Sequence, residues 1–334
     1  MAGNQATARL QTLGPLDFGS VTSLRDNNEM HDNSANPKIE PEFTPQLSII
    51  VPVFKTWHQL THLLDALAAQ KFQDFELIIA DNEPQAFPEE TLRQMVPVGL
   101  AGRWRRIHCA QPGSYAARNA AVAEAKARFV VFTDADCCPD TDWLSSYVTA
   151  ERVAPEVLLA GPIQVRCPPF ANAWQIFDTV RGIPQERYIA HGYATTANLG
   201  IPKAVIERLG GFDANRFSGG DAEFCRRAGR AGIGLRLVPG AVVFHPARSG
   251  RLECETKARR IKGGQLRSGP LRRRVFWTLR SLTPPLREMV GYVSDRRYSY
   301  RWRFTACAIR LRLWGVELAE MGRLLVLRSA PERR

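Results

Sequence analysis

The chain has no run of 18 uncharged apolar residues, so no segment is suited to cross a bilayer as a helix. Its polar N-terminus lacks the apolar stretch of a secretory signal. No G-x-G-x-x-G follows its first apolar strand, and no G-x-x-x-x-G-K-[ST] occurs, which removes the signatures of dinucleotide and P-loop binding. The seven cysteines are odd in number, and their spacing fits neither a zinc knuckle nor a disulfide scaffold. Cys137 and Cys138 are adjacent and cannot readily bond each other. Reduced thiols in a cytosolic setting are therefore expected. No internal repeat is present. Acidic residues are scarce in one region. From Arg251 to the end there are about 21 basic and 7 acidic residues, so this tail carries roughly +14 and the rest of the chain is near neutral.

What is present is material for a large core. The 334 residues are 45% apolar and 23% charged, which predicts one large domain plus an extension, or two domains. The most informative stretch is Phe129-Val-Val-Phe-Thr-Asp-Ala-Asp136. Four apolar residues predict a short buried parallel strand. Asp134 and Asp136 then stand at its carboxyl edge, where ligands bind in open α/β sheets. Side chains at i and i+2 of an extended segment face the same way. Two close carboxylates repel unless something compensates. A hard divalent ion shared with substrate phosphates is one answer. A solvated pair near the start of the next helix, where Asp140 and Thr141 also resemble caps, is the other.

The surrounding pattern predicts strand, helix, strand, helix, strand. Residues 1–45 are polar and aperiodic and read as a disordered or loosely packed leader. Gln46 to Phe54 predicts a strand broken at Pro52. Leu60, Leu63, Leu64 and Leu67 recur at helical spacing. Phe75 to Ala80 predicts a second strand ending at Asp81, and Arg105 to Cys109 a short third. Gly113 opens an Ala-rich helix. This order predicts a doubly wound, mainly parallel sheet whose right-handed crossovers bring Asp81, Gly113, Asp134 and Asp136 to one edge. Farther on, strands are predicted at 157–160, 194–201, 235–238 and 241–244, with His245 just past the last. Helices are predicted near 173–180, over 203–209 and after Gly219-Gly220, with Asp221 at an N-cap-like position.

Five pieces now stand in one order: Ser48-Ile-Ile-Val-Pro-Val-Phe54, Phe75-Glu-Leu-Ile-Ile-Ala-Asp-Asn82, Gly113-Ser-Tyr-Ala-Ala-Arg-Asn119, Thr133-Asp-Ala-Asp136 and Gly219-Gly-Asp-Ala-Glu-Phe-Cys-Arg226. From about Leu47 to Arg248 the chain resembles a family 2 glycosyltransferase with the GT-A fold. The resemblance implies an inverting transfer of a sugar from a nucleotide-diphosphate sugar to an acceptor hydroxyl of a glycan or lipid-linked saccharide. It implies a Rossmann-like α/β sheet with helices on both faces and a divalent metal, Mn2+ or Mg2+. It also implies roles for residues. Pro52, Val53 and Phe54 would flank the nucleobase, and Asp81 would hydrogen-bond it. Gly113 and Arg118 would lie at the nucleotide. Asp134 would lean to the ribose and metal, Asp136 would hold the metal against the diphosphate, and Asp221 would be the general base. Many relatives carry Glu-Asp where this chain has Gly220-Asp221. That leaves Glu223 as a rival base and Asp213 as a third, more turn-like candidate. Gly219 and Gly220 would let backbone approach a ligand closely. His245 is read either as an extra metal ligand or as a structural histidine. His191, Tyr193 and Asn198 are read as lining the sugar or acceptor pocket, or as ordinary loop and strand residues.

The physics of that transfer sets matching demands. An attacking hydroxyl needs a carboxylate to accept its proton. A leaving diphosphate needs positive charge. An Asp at a helix N-terminus is expected to stay ionised, because the dipole favours its charge. The tail from 251 to 334 mixes Arg with Trp, Phe and Leu, which predicts helices that dock on an anionic membrane surface. Its apolar side packing on the 46–250 catalytic domain is the alternative. The expected location is cytoplasmic and peripheral at the inner face of the membrane, with no nucleic acid as partner. Two other classes compete: a sugar nucleotidyltransferase, and a non-catalytic module that grips polyanion or membrane. Pro52-Val-Phe-Lys-Thr-Trp57 is not the Gly-rich loop the former needs.

Overall fold

The computed structural model describes residues 44–216, 218–327, 329, 330 and 332. The predicted leader falls outside this range except for its last two residues. Among the described residues ten strands run in chain order: β1 (Leu47–Val53), β2 (Phe75–Asp81), β3 (Trp104–His108), β4 (Phe129–Thr133), β5 (Cys138–Pro139), β6 (Leu158–Ala160), β7 (Ile163–Arg166), β8 (Asn198–Pro202), β9 (Leu235–Leu237) and β10 (Val243–Pro246). Among them stand α1 (Trp57–Ala68), α2 (Glu89–Met95), α3 (Ser114–Glu124), α4 (Trp143–Val153), α5 (Ala173–Arg181), α6 (Gln185–Ala190), α7 (Lys203–Arg208) and α8 (Gly220–Arg230). Four helices close the chain: α9 (Arg251–Arg267), α10 (Leu271–Leu282), α11 (Leu286–Ser294) and α12 (Tyr300–Leu325).

Seven strands form one sheet in the order β3-β2-β1-β4-β8-β6-β9. β1, β2, β3 and β4 are parallel, whereas β8 runs antiparallel between β4 and β6. The fold is thus α/β and mainly parallel at its centre. Alternation sorts the strand residues onto two buried faces. Ile49, Val51, Leu77, Ile79 and Val131 pack toward α1 and α4, while Ile50, Ile78, Val130 and Phe132 pack toward α3 and α8. Burial on both faces explains why these strands read as unbroken apolar runs.

Several expected boundaries shift. β1 does not break at Pro52. It pairs with β4 only as far as Ile50, but with β2 through Pro52 and on to Val53. Beyond Ile50 the strand has one neighbour only, so proline is tolerated there. The strand expected from Ala194 begins only at Asn198, because Asn198 N–H closes a turn onto the Thr195 carbonyl (3.2 Å). His245 does not follow its strand but lies within β10, opposite Val165 of β7. The N-cap of α8 is Gly219 in the left-handed region (φ 73°), not Asp221.

A second sheet, β5-β10-β7, was not expected, since two-residue β5 carries no periodic signal. It matters for the site. β5 begins two residues after Asp136 and pairs Cys138 with Phe244, which brings His245 beside Asp136. The basic tail is helical, and α12 packs against α5 and α9. Phe177, Val180, Cys254, Ala258, Tyr292, Ala306, Cys307 and Leu313 form that core. All seven cysteines are free thiols.

Candidate active site

Asp134 and Asp136 leave the carboxyl end of β4 in different company. Asp134 Oδ1 accepts from Arg118 Nη2 at 2.6 Å. Arg118 is buried in α3, where its Nη1 also reaches the Ser114 carbonyl (3.4 Å) and its Nε has no partner among the described residues. Gly113 (φ 123°) caps α3, and its N–H donates to Asn82 Oδ1 (2.8 Å). The Asn82 amide in turn donates to the carbonyls of Cys109 and Gln111. Asn82 thus ties the end of β2 to the glycine turn. It stood in a quoted motif, but nothing in its spacing marked it as a positioning residue.

Asp136 faces the second sheet. Its Oδ2 lies 3.4 Å from His245 Nε2. His245 Nδ1 lies 2.7 Å from the Pro246 carbonyl, which only accepts, so Nδ1 carries the proton there. Arg248 Nη2 lies 3.3 Å from Nε2 and only donates, so Nε2 presents its lone pair. Two electron-rich atoms, Asp136 Oδ2 and His245 Nε2, therefore share one partly open corner. One carboxylate, one imidazole nitrogen and the nearby Asp134 suit a divalent ion completed by phosphate oxygens. Among the described residues no three His, Cys, Asp or Glu side chains close a full cage. Mg2+-type ions do not need one, since substrate phosphates complete their shell.

Asp221 lies at the start of α8. Its Oδ1 accepts from the Tyr115 hydroxyl (3.3 Å) and from its own helix at Ala222 N–H (2.8 Å). Burial pushes its carboxyl above the ordinary value of 3.8, and the charge of Asp134 adds to that against the pull of the Ala222 N–H and Arg118. The sequence predicted that the helix dipole favours its charged form. Desolvation, a tertiary effect, pushes the other way. Tyr115 was not singled out from sequence, yet it links Gly113 to Asp221. Gly220 is required by it: a Cβ at 220 would stand 2.7 Å from the Tyr115 ring. The close approach expected of Gly220 is therefore to Tyr115. Gly219 supplies the left-handed cap, and nothing stands within 4 Å of where its Cβ would be.

Other expected site residues fall elsewhere. Glu223 is paired with Arg227 one turn on (3.0 Å), and Arg227 also holds the carbonyls of Leu209 and Gly211. Asp213 forms a turn with Asn215 and Arg216. Asp81 is fully buried and accepts from the N–H groups of Glu83 (3.0 Å) and Phe87 (2.7 Å) and from Arg106 (3.3 Å). It shapes the loop beside β1. Pro52 and Val53 end β1, with half-buried Phe54 beyond them. Glu83 joins the two loops by accepting from Lys55 N–H (2.6 Å) and Trp57 Nε1 (3.1 Å). Asn198 is a buried link. It is fully buried, accepts from Trp143 Nε1 and Tyr147 Oη (2.8 Å each), and donates to the carbonyls of Pro162 and Ala241. His191 is exposed and closes α6 through the Arg187 carbonyl. Tyr193 is half-buried, stacked on Tyr188 (4.9 Å) under Arg226 (4.8 Å).

The structure thus brings Asp134, Asp136, Arg118, Asp221 and His245 to one edge. Asn198 also stands at that edge, opposite Thr133 of β4, but its side chain is taken up by buried hydrogen bonds, and Glu223 and Asp213 are engaged by arginines. Residues 48–209 match Glycosyl transferase family 2, a span that ends before Asp221 and His245. Over 301 residues the chain is 29% identical to glycosyltransferase AglE of Haloferax volcanii, covering 85% of this chain and 97% of that protein. It is 30% identical over 150 residues to the pre-mycofactocin glycosyltransferase of Mycobacterium tuberculosis, covering 42% of this chain and 32% of that one. The mannosyltransferase PcManGT of Pyrobaculum calidifontis, solved with GDP-Man and Mn2+, shares the fold, with a TM-score of 0.54 at 16% identity over 87% of this chain and 90% of that one. With the α/β sheet, these matches make residues 48–209 a glycosyl transferase family 2 domain.

Proposed function

We propose that this glycosyltransferase takes a sugar from a nucleoside-diphosphate sugar and passes it, with inversion, to a hydroxyl of a glycan or lipid-linked saccharide. The observation that carries the reading is the meeting of Asp134, Asp136, Arg118 and Asp221 at one sheet edge. Asp221 accepts the proton of the acceptor hydroxyl as the new C–O bond forms, and the bond to the diphosphate oxygen breaks on the opposite face. Burial raises the proton affinity of Asp221, which makes it a better base than an exposed carboxylate. The Tyr115 hydroxyl holds its Oδ1, and placement supplies the rest. Asp136, His245 and Asp134 are the residues that would hold a divalent cation, Mn2+ or Mg2+. When bound, such an ion neutralises charge growing on the leaving diphosphate. Pro52, Val53 and Phe54 form the nucleotide wall, Gly113 and Arg118 lie behind the phosphates, and Tyr193 and His191 border the acceptor. The family match leaves the nucleotidyltransferase and non-catalytic alternatives without support.

A screen of nucleotide sugars with Mn2+ for transfer or hydrolysis tests the reading. Asp136→Ala is expected to abolish metal-dependent donor binding, and persistence of that binding would remove Asp136 from the metal site.

The enzyme works at the cytoplasmic face of a membrane, in this proposal, by laying α10 and α11 on anionic lipid. No helix among the described residues is long and apolar enough to cross a membrane. Val275, Phe276, Leu279, Leu282, Leu286 and Val290 are nevertheless all exposed, and Arg272, Arg280 and Arg287 stand exposed among them. Apolar and cationic groups mixed on one surface suit the headgroup region. Flotation of the intact chain with phosphatidylglycerol vesicles checks this, and full recovery in the soluble fraction refutes it.

A further inference from the structure

A cavity of about 360 Å³ lies among α5, α9, α10, α11 and α12, in the size range of small-ligand sites. None of the residues assigned above to donor, metal or base lines it. Its wall carries three carboxylates, Asp178, Glu288 and Glu317, and each is already paired: with Arg248 (3.1 Å), Arg310 (2.7 Å) and Lys262 (3.3 Å). Five further cations line the same space: Arg181, Arg187, Lys257, Arg280 and Arg287. Among the described residues none of the five has a carboxylate oxygen within 4.0 Å. Arg181 and Lys257 are half-buried inside, while Arg187, Arg280 and Arg287 are exposed at its rim.

Unpaired like charges around one cavity repel each other, and removal from water adds to the cost. Burial, with the nearby charges of Arg248 and Arg181, pushes the Lys257 ammonium well below its ordinary range. A bound anion would offset both terms. The cavity also adjoins the active site. Arg248 belongs to its wall and reaches His245 Nε2 (3.3 Å), the neighbour of Asp136. On the other side Tyr188, stacked on Tyr193, feels the charges of Arg181, Arg187 and Asp221. At the rim, Arg280 and Arg287 belong to the helices whose apolar side chains are exposed.

We propose that this cavity binds the phosphate or diphosphate group of the acceptor, and so selects a phosphate-bearing saccharide whose free hydroxyl lies at Asp221. This rests on the transferase reading above. It deepens that reading by naming the acceptor's anionic end.

Titration of the full chain with inorganic pyrophosphate by calorimetry tests it. EDTA and an Asp136→Ala background keep the donor site out of the measurement. Saturable one-to-one binding is expected. Lys257→Gln and Arg181→Gln should each weaken it about tenfold, as for loss of one charge-assisted hydrogen bond. Arg287→Gln, at the exposed rim, gives a weaker change in a position that folding does not depend on, and thermal melts check the two inner variants. No binding to the parent protein, or equal binding by Lys257→Gln and Arg181→Gln, overturns the proposal. A parallel arm measures phosphatidylglycerol vesicle binding by the same variants. Retained vesicle binding with lost pyrophosphate binding is the expected result. The reverse pattern makes the cavity part of the lipid surface and also overturns it. Metal-dependent donor binding by the otherwise unaltered chain is recorded separately, so failure of the transferase reading shows there and not in the pyrophosphate arm.

Discussion

The sheet edge and the C-terminal helices handle charge in opposite ways. At the sheet edge ions are paired: Arg118 with Asp134, and Arg106 with Asp81. In the helical layer unpaired cations face a cavity while large apolar side chains face outward. Pairing at the edge fixes geometry, which a bond-forming site needs to within fractions of an ångström. Unpaired charge and bare apolar surface serve a region whose partner comes from outside. Asp221 is an exception at the edge, a half-buried carboxylate held by the Tyr115 hydroxyl and by backbone N–H groups, not by a cation.

That exception makes the largest prediction. Asp221→Asn keeps the shape and removes the base, so transfer should fall about 10²–10⁴-fold while donor binding survives. The sign for stability is opposite. Because the folded value of Asp221 is raised above 3.8, the group adds stability below 3.8 and that contribution is lost as pH rises through the raised value. At neutral pH the charged group is a cost, so the Asn variant should melt higher than the parent. Transfer by the parent should fall as pH drops through the same raised value. A lower melting point, or donor binding lost with transfer, would place Asp221 among the structural ion pairs and erase the contrast.

The next effect concerns packing at the same helix. Gly220→Glu places a Glu-Asp pair at the start of α8 but drives a Cβ into the Tyr115 ring. Overpacking of this kind costs about 1–3 kcal/mol. Adding Tyr115→Ala should recover much of that loss, because the ring is the obstacle. Denaturant melts of the single and double variants measure the coupling. Additive losses would show that Tyr115 and Gly220 are not a matched pair.

Much of the edge was legible in sequence because it is built from local signals. Apolar runs named β1, β2 and β4, and the Asp134-Ala-Asp136 spacing marked where β4 ends. The rest depended on contacts with no local signature. Asn198 resembles a pocket residue in sequence, yet four hydrogen bonds make it a buried link between sheets. Two-residue β5 is invisible to periodicity, but without it His245 would not meet Asp136. The upward push of burial on Asp221 had no sequence signal, because burial is a tertiary property. In the tail, composition foretold helices. It could not say that α12 turns its Leu313 inward onto α5 and α9 while α10 leaves Phe276 and Leu279 outside.

The smallest expected effect on stability falls on that outward face and sharpens the comparison most. Phe276 and Leu279 are 58% and 61% exposed, so neither contributes much to the fold. Phe276→Glu with Leu279→Glu should change the melting free energy by no more than about 0.5 kcal/mol, the usual limit for surface positions. The same pair puts two carboxylates onto a surface meant for anionic lipid. Each basic residue there is worth about 1 kcal/mol near such lipid, so two opposing charges should cut vesicle binding by more than tenfold. A clear loss of stability instead would mean that α10 is held against protein in a way its exposure does not suggest. Unchanged vesicle binding would move the membrane contact off α10. Loss of lipid binding alone, with transfer to a soluble phosphate-bearing acceptor intact, is what two regions with separate tasks require.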